Sequence, residues 1–320
     1  MRALALFAVC AVPALGADPI TLELPVGCEL GKTCFIQQYF DHDRGPGALD
    51  YSCGIMSYDG HDGVDIRVPT LAAMRVGVAV RAAAPGIVKG ARDGVADVDV
   101  RLAGPASVAG RECGNGVVVQ HDGGWETQYC HLKNGSLRVK VGDTVAAGSA
   151  LGEIGESGDA AFPHLHFALR HHGEKLDPFA ATAACGAGPS LWSAKARAAL
   201  AYRAPQLLNS GFAGAPVRME DIEAGVVSPA SRQAGALVAF VRAISLAAGD
   251  VQELTVLGPD GAVVATQTTP PLDANKAQWM LFTGKKRPAA GFAPGRYTAR
   301  YAVRRGGKLV LQTQFEADLR

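Results

Sequence analysis

The segment Phe162-Pro163-His164-Leu165-His166-Phe167 alternates imidazoles with apolar side chains. On a strand, residues two apart share a face, so His164 and His166 project together while Leu165 and Phe167 enter a core. Two imidazoles on one face lie within reach of a single ion. Two more histidine segments lie upstream. In Gly60-His61-Asp62-Gly63-Val64-Asp65, a His stands four residues before an Asp across a glycine-containing turn, offering one nitrogen and one oxygen ligand. In Tyr129-Cys130-His131-Leu132, strand parity puts Tyr129 and His131 on one face and Cys130 on the other. That leaves Cys130 for a disulfide and His131 for a site. Three protein ligands with an open fourth position mark catalytic rather than structural zinc.

Around these segments, residues 60–180 read as short strands punctuated by glycine, at 78–82, 86–89, 117–121, 127–132, 151–154 and 164–169. Residues 91–112 read as a surface loop between two strands. Residues 18–58 are irregular in pattern, and Ser190 precedes an Ala-rich stretch, 191–203, read as a connecting helix. After Pro205, six runs at 236–244, 251–257, 262–268, 278–282, 296–303 and 309–315 show no helical segment and point to an immunoglobulin-like β-sandwich. Trp279, Tyr297 and Tyr301 read as core aromatics of that sandwich.

Composition agrees with a strand-rich, exported chain. The 320 residues include 39 Gly and 18 Pro, and 48% are hydrophobic against 19% charged. Residues 1–17, MRALALFAVCAVPALGA, read as a cleaved secretory signal, too short an apolar run to span a bilayer. The formal charge is +1 and falls to zero once Arg2 leaves with the leader. With no basic cluster, nucleic acid is an unfavoured partner. No later stretch approaches the ~18 apolar residues of a membrane span. Six cysteines remain after Cys10 departs, which suggests up to three disulfides; Cys113 and Cys130, flanking one hairpin, are the favoured pair. No Cys-x-x-Cys spacing suggests a zinc cluster.

Residues 60–179 resemble the M23 family of zinc metallopeptidases, the lysostaphin/LytM-type peptidoglycan endopeptidases. The resemblance runs through His61 and Asp65, Ala83-Ala84-Pro85-Gly86-Ile87-Val88, Gly114-Asn115-Gly116, Gln128-Tyr129-Cys130-His131-Leu132, Val141-Gly142-Asp143, Gly155-Glu156-Ser157-Gly158, the Pro163–Phe167 box and Asp177-Pro178-Phe179. It implies that His61, Asp65 and His166 hold one Zn2+ per chain, and that His131 and His164 are the two non-ligand catalytic histidines. Their roles relative to each other stay open.

The expected organisation is a mostly β chain. It comprises a signal peptide (1–17), an irregular segment (18–58), an antiparallel M23 peptidase domain (59–185), a linker helix (186–204) and a C-terminal β-sandwich (205–320). The expected function is that of a periplasmic or secreted bacterial zinc endopeptidase acting on peptidoglycan stem peptides or cross-bridges. The alternative is a catalytically silent or latent cell-wall binding or activator protein using the same groove. Longer connections at 70–80 and 91–112 than the family's usual ones are expected to wall the groove. His42, His121, His171 and His172 read as non-ligands. The region 205–320 carries no motif and reads as a spacer or wall-docking module whose removal spares hydrolysis.

Overall fold

In the computed structural model, which describes residues 19–182 and 184–320, one antiparallel sheet carries His131, His164 and His166, and His61 lies in the turn that leads into it. The signal peptide and Cys10 lie outside the described residues. The sheet's strands are β1 (Phe35–Gln38), β2 (Val64–Arg67), β4 (Gly86–Arg92), β5 (Asn115–Gln120), β6 (Trp125–Leu132), β7 (Thr144–Val145), β9 (His164–His171) and β10 (Glu174–Leu176). The order across it is β1-β2-β9-β6-β5-β4-β7, with β10 paired to β9. A small second sheet joins β3 (Ala79–Arg81) to β8 (Ala150–Glu153). β9 therefore lies between β2 and β6, which puts His61, Asp65 and His131 at the ends of its two neighbours.

The alternation read in 164–167 is present: Leu165 and Phe167 are fully buried in the core with Val64, Ile66 and Tyr129. Segment 18–58 is more ordered than its pattern suggests. It supplies edge strand β1, and Leu22, Val26 and Tyr39 enter the same core. Of the expected linker helix only α3 (Ala194–Ala199) is helical, and Leu191, Trp192, Ala196 and Leu200 pack into that core as well. Helix α1 (Leu71–Val76) follows β2, capped by the Thr70 side chain. Residues 91–112 contain the short helix α2 (Val100–Ala103) and a 3-10 turn (Pro105–Val108). The fully buried Asn115 side chain ties this excursion down, donating to the Val95 carbonyl at 2.7 Å and accepting from its N–H at 2.8 Å. The disulfides are Cys28–Cys34, Cys53–Cys185 and Cys113–Cys130.

Residues 206–319 form two antiparallel sheets facing one core. One is β11 (Gln206–Ala213), β12 (Ala236–Leu246) and β15 (Lys276–Lys286); the other is β13 (Val251–Leu257), β14 (Val263–Thr268), β16 (Gly295–Arg305) and β17 (Lys308–Leu319). Two elements here escaped the sequence reading: strand β11, whose QLLNSGFA lacks alternation, and helix α4 (Met219–Ala224). β12 is buried along its whole length. Leu237, Ala239, Val241 and Ala243 face the sandwich core, whereas Ala236, Val238 and Phe240 face Ile222 of α4. Tyr297 and Tyr301 are core residues, and Trp279 packs against them half-buried.

The second face of β12 also meets the first sheet. Ile244 packs with Phe35 of β1 and Leu208 of β11. Arg242, on the same parity, pairs with Glu223 of α4, and Glu223 also bonds Arg67 of β2 at 3.1 Å through both its oxygens. Gln37 donates to the Ala277 carbonyl at 2.7 Å. The region read as a spacer or wall-docking module thus packs against the first sheet: a buried guanidinium on each side shares the Glu223 carboxylate, and its loss would leave both without a charged partner.

Candidate active site

The turn between His61 and Asp65 closes tightly because position 63 is glycine. A Cβ there would come within 2.6 Å of His166 Nε2 and 2.7 Å of the Phe167 carbonyl. This brings β2 against β9, with Asp65 opposite His166 in register. Three ligand atoms converge as a result. Asp65 Oδ1 lies 2.9 Å from His166 Nδ1 and 3.2 Å from His61 Nε2, and the two nitrogens are 3.3 Å apart. Tetrahedral bonds of about 2 Å to a central zinc would space ligand atoms by about 3.3 Å, so two imidazole nitrogens and a carboxylate oxygen at these distances fit that ion.

The other two histidines point into the same cleft. The His131 ring lies 4.6 Å from that of His164 and 6.0 Å from that of His166, centre to centre. His164 Nε2 is 3.6 Å from Asp65 Oδ1. Nδ1–H of His131 donates to the Ser157 carbonyl and Nδ1–H of His164 to the Phe162 carbonyl, both at 2.8 Å, so each turns a bare Nε2 to the cleft. Burial, reinforced by the neighbouring His164 and His166, holds the His131 imidazole well below its ordinary pKa. Burial lowers His164 too, with Asp65 opposing.

The face assignment at 129–131 is corrected by the structure. Tyr129 opposes Phe167 and is wholly buried, its hydroxyl accepting from the Ala83 N–H at 2.7 Å. Cys130 opposes His166 and lines the cleft with its partner Cys113. His131 reaches the cleft as well because its φ is 61°, a left-handed conformation that breaks strand alternation.

Peptidase family M23 matches residues 59–178. Those residues form the M23-like domain of the chain. The M23 domain is 30% identical over 120 residues to the DD-carboxypeptidase/endopeptidase Mpg of Neisseria meningitidis serogroup B, covering 37% of this chain and 22% of that protein. It is 38% identical over 64 residues to the peptidoglycan DD-endopeptidase ShyA of Vibrio cholerae, covering 20% of this chain and 14% of that one. The chain thus spans about a fifth, or less, of the length of these curated relatives. The catalytic domain of the prophage-encoded M23 protein EnpA from Enterococcus faecalis aligns at 24% identity with a TM-score of 0.31, over 45% of this chain and 88% of that chain.

On one side of the His61, Asp65 and His166 cluster opens a cavity of about 650 Å³. Its walls include Phe162, Arg101 and Leu102 of the 91–112 excursion, and Met219, Glu220 and Gln278 from the C-terminal sandwich. A smaller cavity of about 280 Å³ continues on the other side past Asp62, Gln128 and Arg170. Tyr58, His131, Asp159 and His166 border both, so the cluster sits where two arms of one groove meet.

Several contributors were not legible beforehand. Tyr58 stacks on His61 at 4.4 Å. The Tyr39 carbonyl accepts Nδ1–H of His61 at 2.6 Å, leaving Nε2 bare toward the ligand cluster. Asp41 accepts the Gly60 N–H at 2.9 Å and steadies the turn before His61. His42 is committed elsewhere, buried against Asp177 at 2.8 Å, and His121 spans the Pro85 carbonyl and Thr127; His171 stacks on Trp125.

Proposed function

We propose that this chain is an exported zinc endopeptidase that hydrolyses peptide bonds in peptidoglycan stem peptides or cross-bridges. The observation that supports this most is the convergence of His61, Asp65 and His166 on one point with two further imidazoles at the same cleft. His61 Nε2, Asp65 Oδ1 and His166 Nδ1 would hold the ion. When bound, zinc supplies Lewis acidity and a nucleophile at neutral pH.

The remaining chemistry belongs to side chains of this chain. His131 and His164 are neutral near pH 7 and face the cleft with bare Nε2 atoms, so each is an acceptor for the proton released during attack. Once charged, either becomes a donor to the leaving amine or to the developing oxyanion. The two groove arms give an extended peptide room on both sides of the scissile bond. Three disulfides suit an oxidising compartment, and no helix among the described residues is long and apolar enough to cross a membrane. Peptidoglycan as substrate follows the name of the relative ShyA, a peptidoglycan DD-endopeptidase.

The test is the oxidised, zinc-loaded chain incubated with purified sacculi beside a His131→Ala variant, with products read by mass spectrometry. New amine termini from the wild type alone are expected. No products from either, with zinc bound, would turn the reading toward a wall-binding protein.

A further inference from the structure

The four imidazoles of the cleft do not lean on the same kind of support. His61, His131 and His164 each donate Nδ1–H to a backbone carbonyl, those of Tyr39, Ser157 and Phe162. His166 is turned the other way round. Its Nδ1 faces the ligand cluster, and its Nε2 lies 3.1 Å from Oδ1 of the Asp62 carboxylate. The second oxygen of Asp62 is held by the Lys175 ammonium, which projects from β10. Lys175 reaches the cleft because β10 pairs back onto β9, opposite Arg170. Asp62 is thus fixed at one end by a cation and aims its other end at the far side of a proposed metal ligand.

We propose that Asp62 is a positioning residue for the metal centre, acting through His166, with Lys175 orienting it; this rests on the zinc-site reading above. A carboxylate behind an imidazole fixes which nitrogen carries the proton, and it raises the basicity of the nitrogen that faces the metal. Asp62 does both for His166. It keeps the proton on Nε2, so Nδ1 is bare where His61 Nε2 and Asp65 Oδ1 converge. It also adds negative charge behind the ligand that bridges β9 to the turn. The other three histidines receive only the weaker dipole of a carbonyl, so the site has one electronically adjustable ligand.

Zinc affinity of the full-length, disulfide-bonded chain, measured by competition with a chelator, tests this. Asp62→Ala is expected to weaken zinc binding by about 10- to 100-fold. Asp62→Asn should fall between the two, because its amide oxygen still accepts the Nε2–H without the charge. Proton–nitrogen NMR of the zinc-loaded chain gives a readout independent of activity. At saturating zinc the His166 Nε2–H should be a slowly exchanging signal in the wild type and exchange faster in Asp62→Ala, while the Nδ1–H signals of His61, His131 and His164 stay as they are. The melting temperature of the zinc-free chain should hold, since the Asp62–Lys175 pair is partly exposed. Zinc affinity within about threefold of wild type, or unchanged exchange of the His166 Nε2–H, overturns the role of Asp62. A wild-type chain that binds no zinc would overturn the metal reading itself, a separate outcome.

Discussion

The M23 domain and the sandwich of residues 206–319 meet at one cleft with opposite kinds of sequence. In the M23-like domain three of the four cleft imidazoles come from segments whose spacing announces them: His-x-His on β9, and His and Asp four apart across a glycine turn. In the sandwich, Met219, Glu220 and Gln278 come from α4 and β15, and nothing in their local sequence sets them apart from other surface residues. Bond-breaking chemistry requires particular atoms at particular separations, which leaves a pattern. Shaping a groove requires only that some surface stand in the right place, which leaves none.

Four variants sharpen or break this contrast. His131→Ala, on the patterned side, should lower turnover by about 100- to 10,000-fold while zinc content stays constant. Metal analysis beside the kinetic assay checks it; loss of the metal together with activity would move His131 into the ligand set. Glu223→Ala tests the join between the two bodies. It leaves Arg67 and Arg242 buried without their shared carboxylate and should lower unfolding free energy by about 3–5 kcal/mol in urea titration. A change within about 1 kcal/mol would mean that the sandwich is held by other contacts. The same argument makes removal of 205–320 harmful to the M23 domain rather than neutral.

Met219→Ala combined with Gln278→Ala tests the wall itself. KM for a peptide substrate should rise about 3- to 10-fold with kcat little changed, the signature of lost binding rather than lost chemistry. Equal parameters for variant and wild type would return the sandwich to a spacer.

The smallest effect concerns Glu156, beside the Ser157 whose carbonyl holds His131. Burial first, then Asp99, Glu223 and Asp97, pushes its carboxyl up to about 7 from an ordinary 4.5. The folded chain therefore keeps this proton longer than the unfolded chain does. The stability tied to it is full below about pH 4.5 and is lost as pH rises through about 7. Glu156→Gln should flatten that decline in melting temperature; parallel wild-type and variant curves would show that Glu156 does not titrate in this window.

How far the sequence was legible follows from how local each signal is. The His164/His166 face was readable because a period of two needs only neighbouring residues, and Leu165 and Phe167 are buried accordingly. Asp62 was not, because the side chain that gives it meaning, His166, lies on another strand. Strand β1 hid in a segment dense with turns, and the Tyr39 carbonyl has no side-chain signature at all. Cys53 and Cys185 pair across 132 residues, a separation no local rule reaches. The parity argument for 129–131 failed on backbone, since one left-handed residue undoes alternation.

That residue has an evolutionary corollary. A non-glycine side chain in the left-handed region costs roughly 1–2 kcal/mol, so His131 sits where glycine, or at less cost asparagine, would be more comfortable. Substitution by either would relieve that backbone strain and remove the proposed proton acceptor in the same step. Drift at this position would run toward a relaxed backbone that keeps the proposed ligands His61, Asp65 and His166 without the proposed acceptor. An active lineage has to be kept there by selection, against the preference of its own backbone.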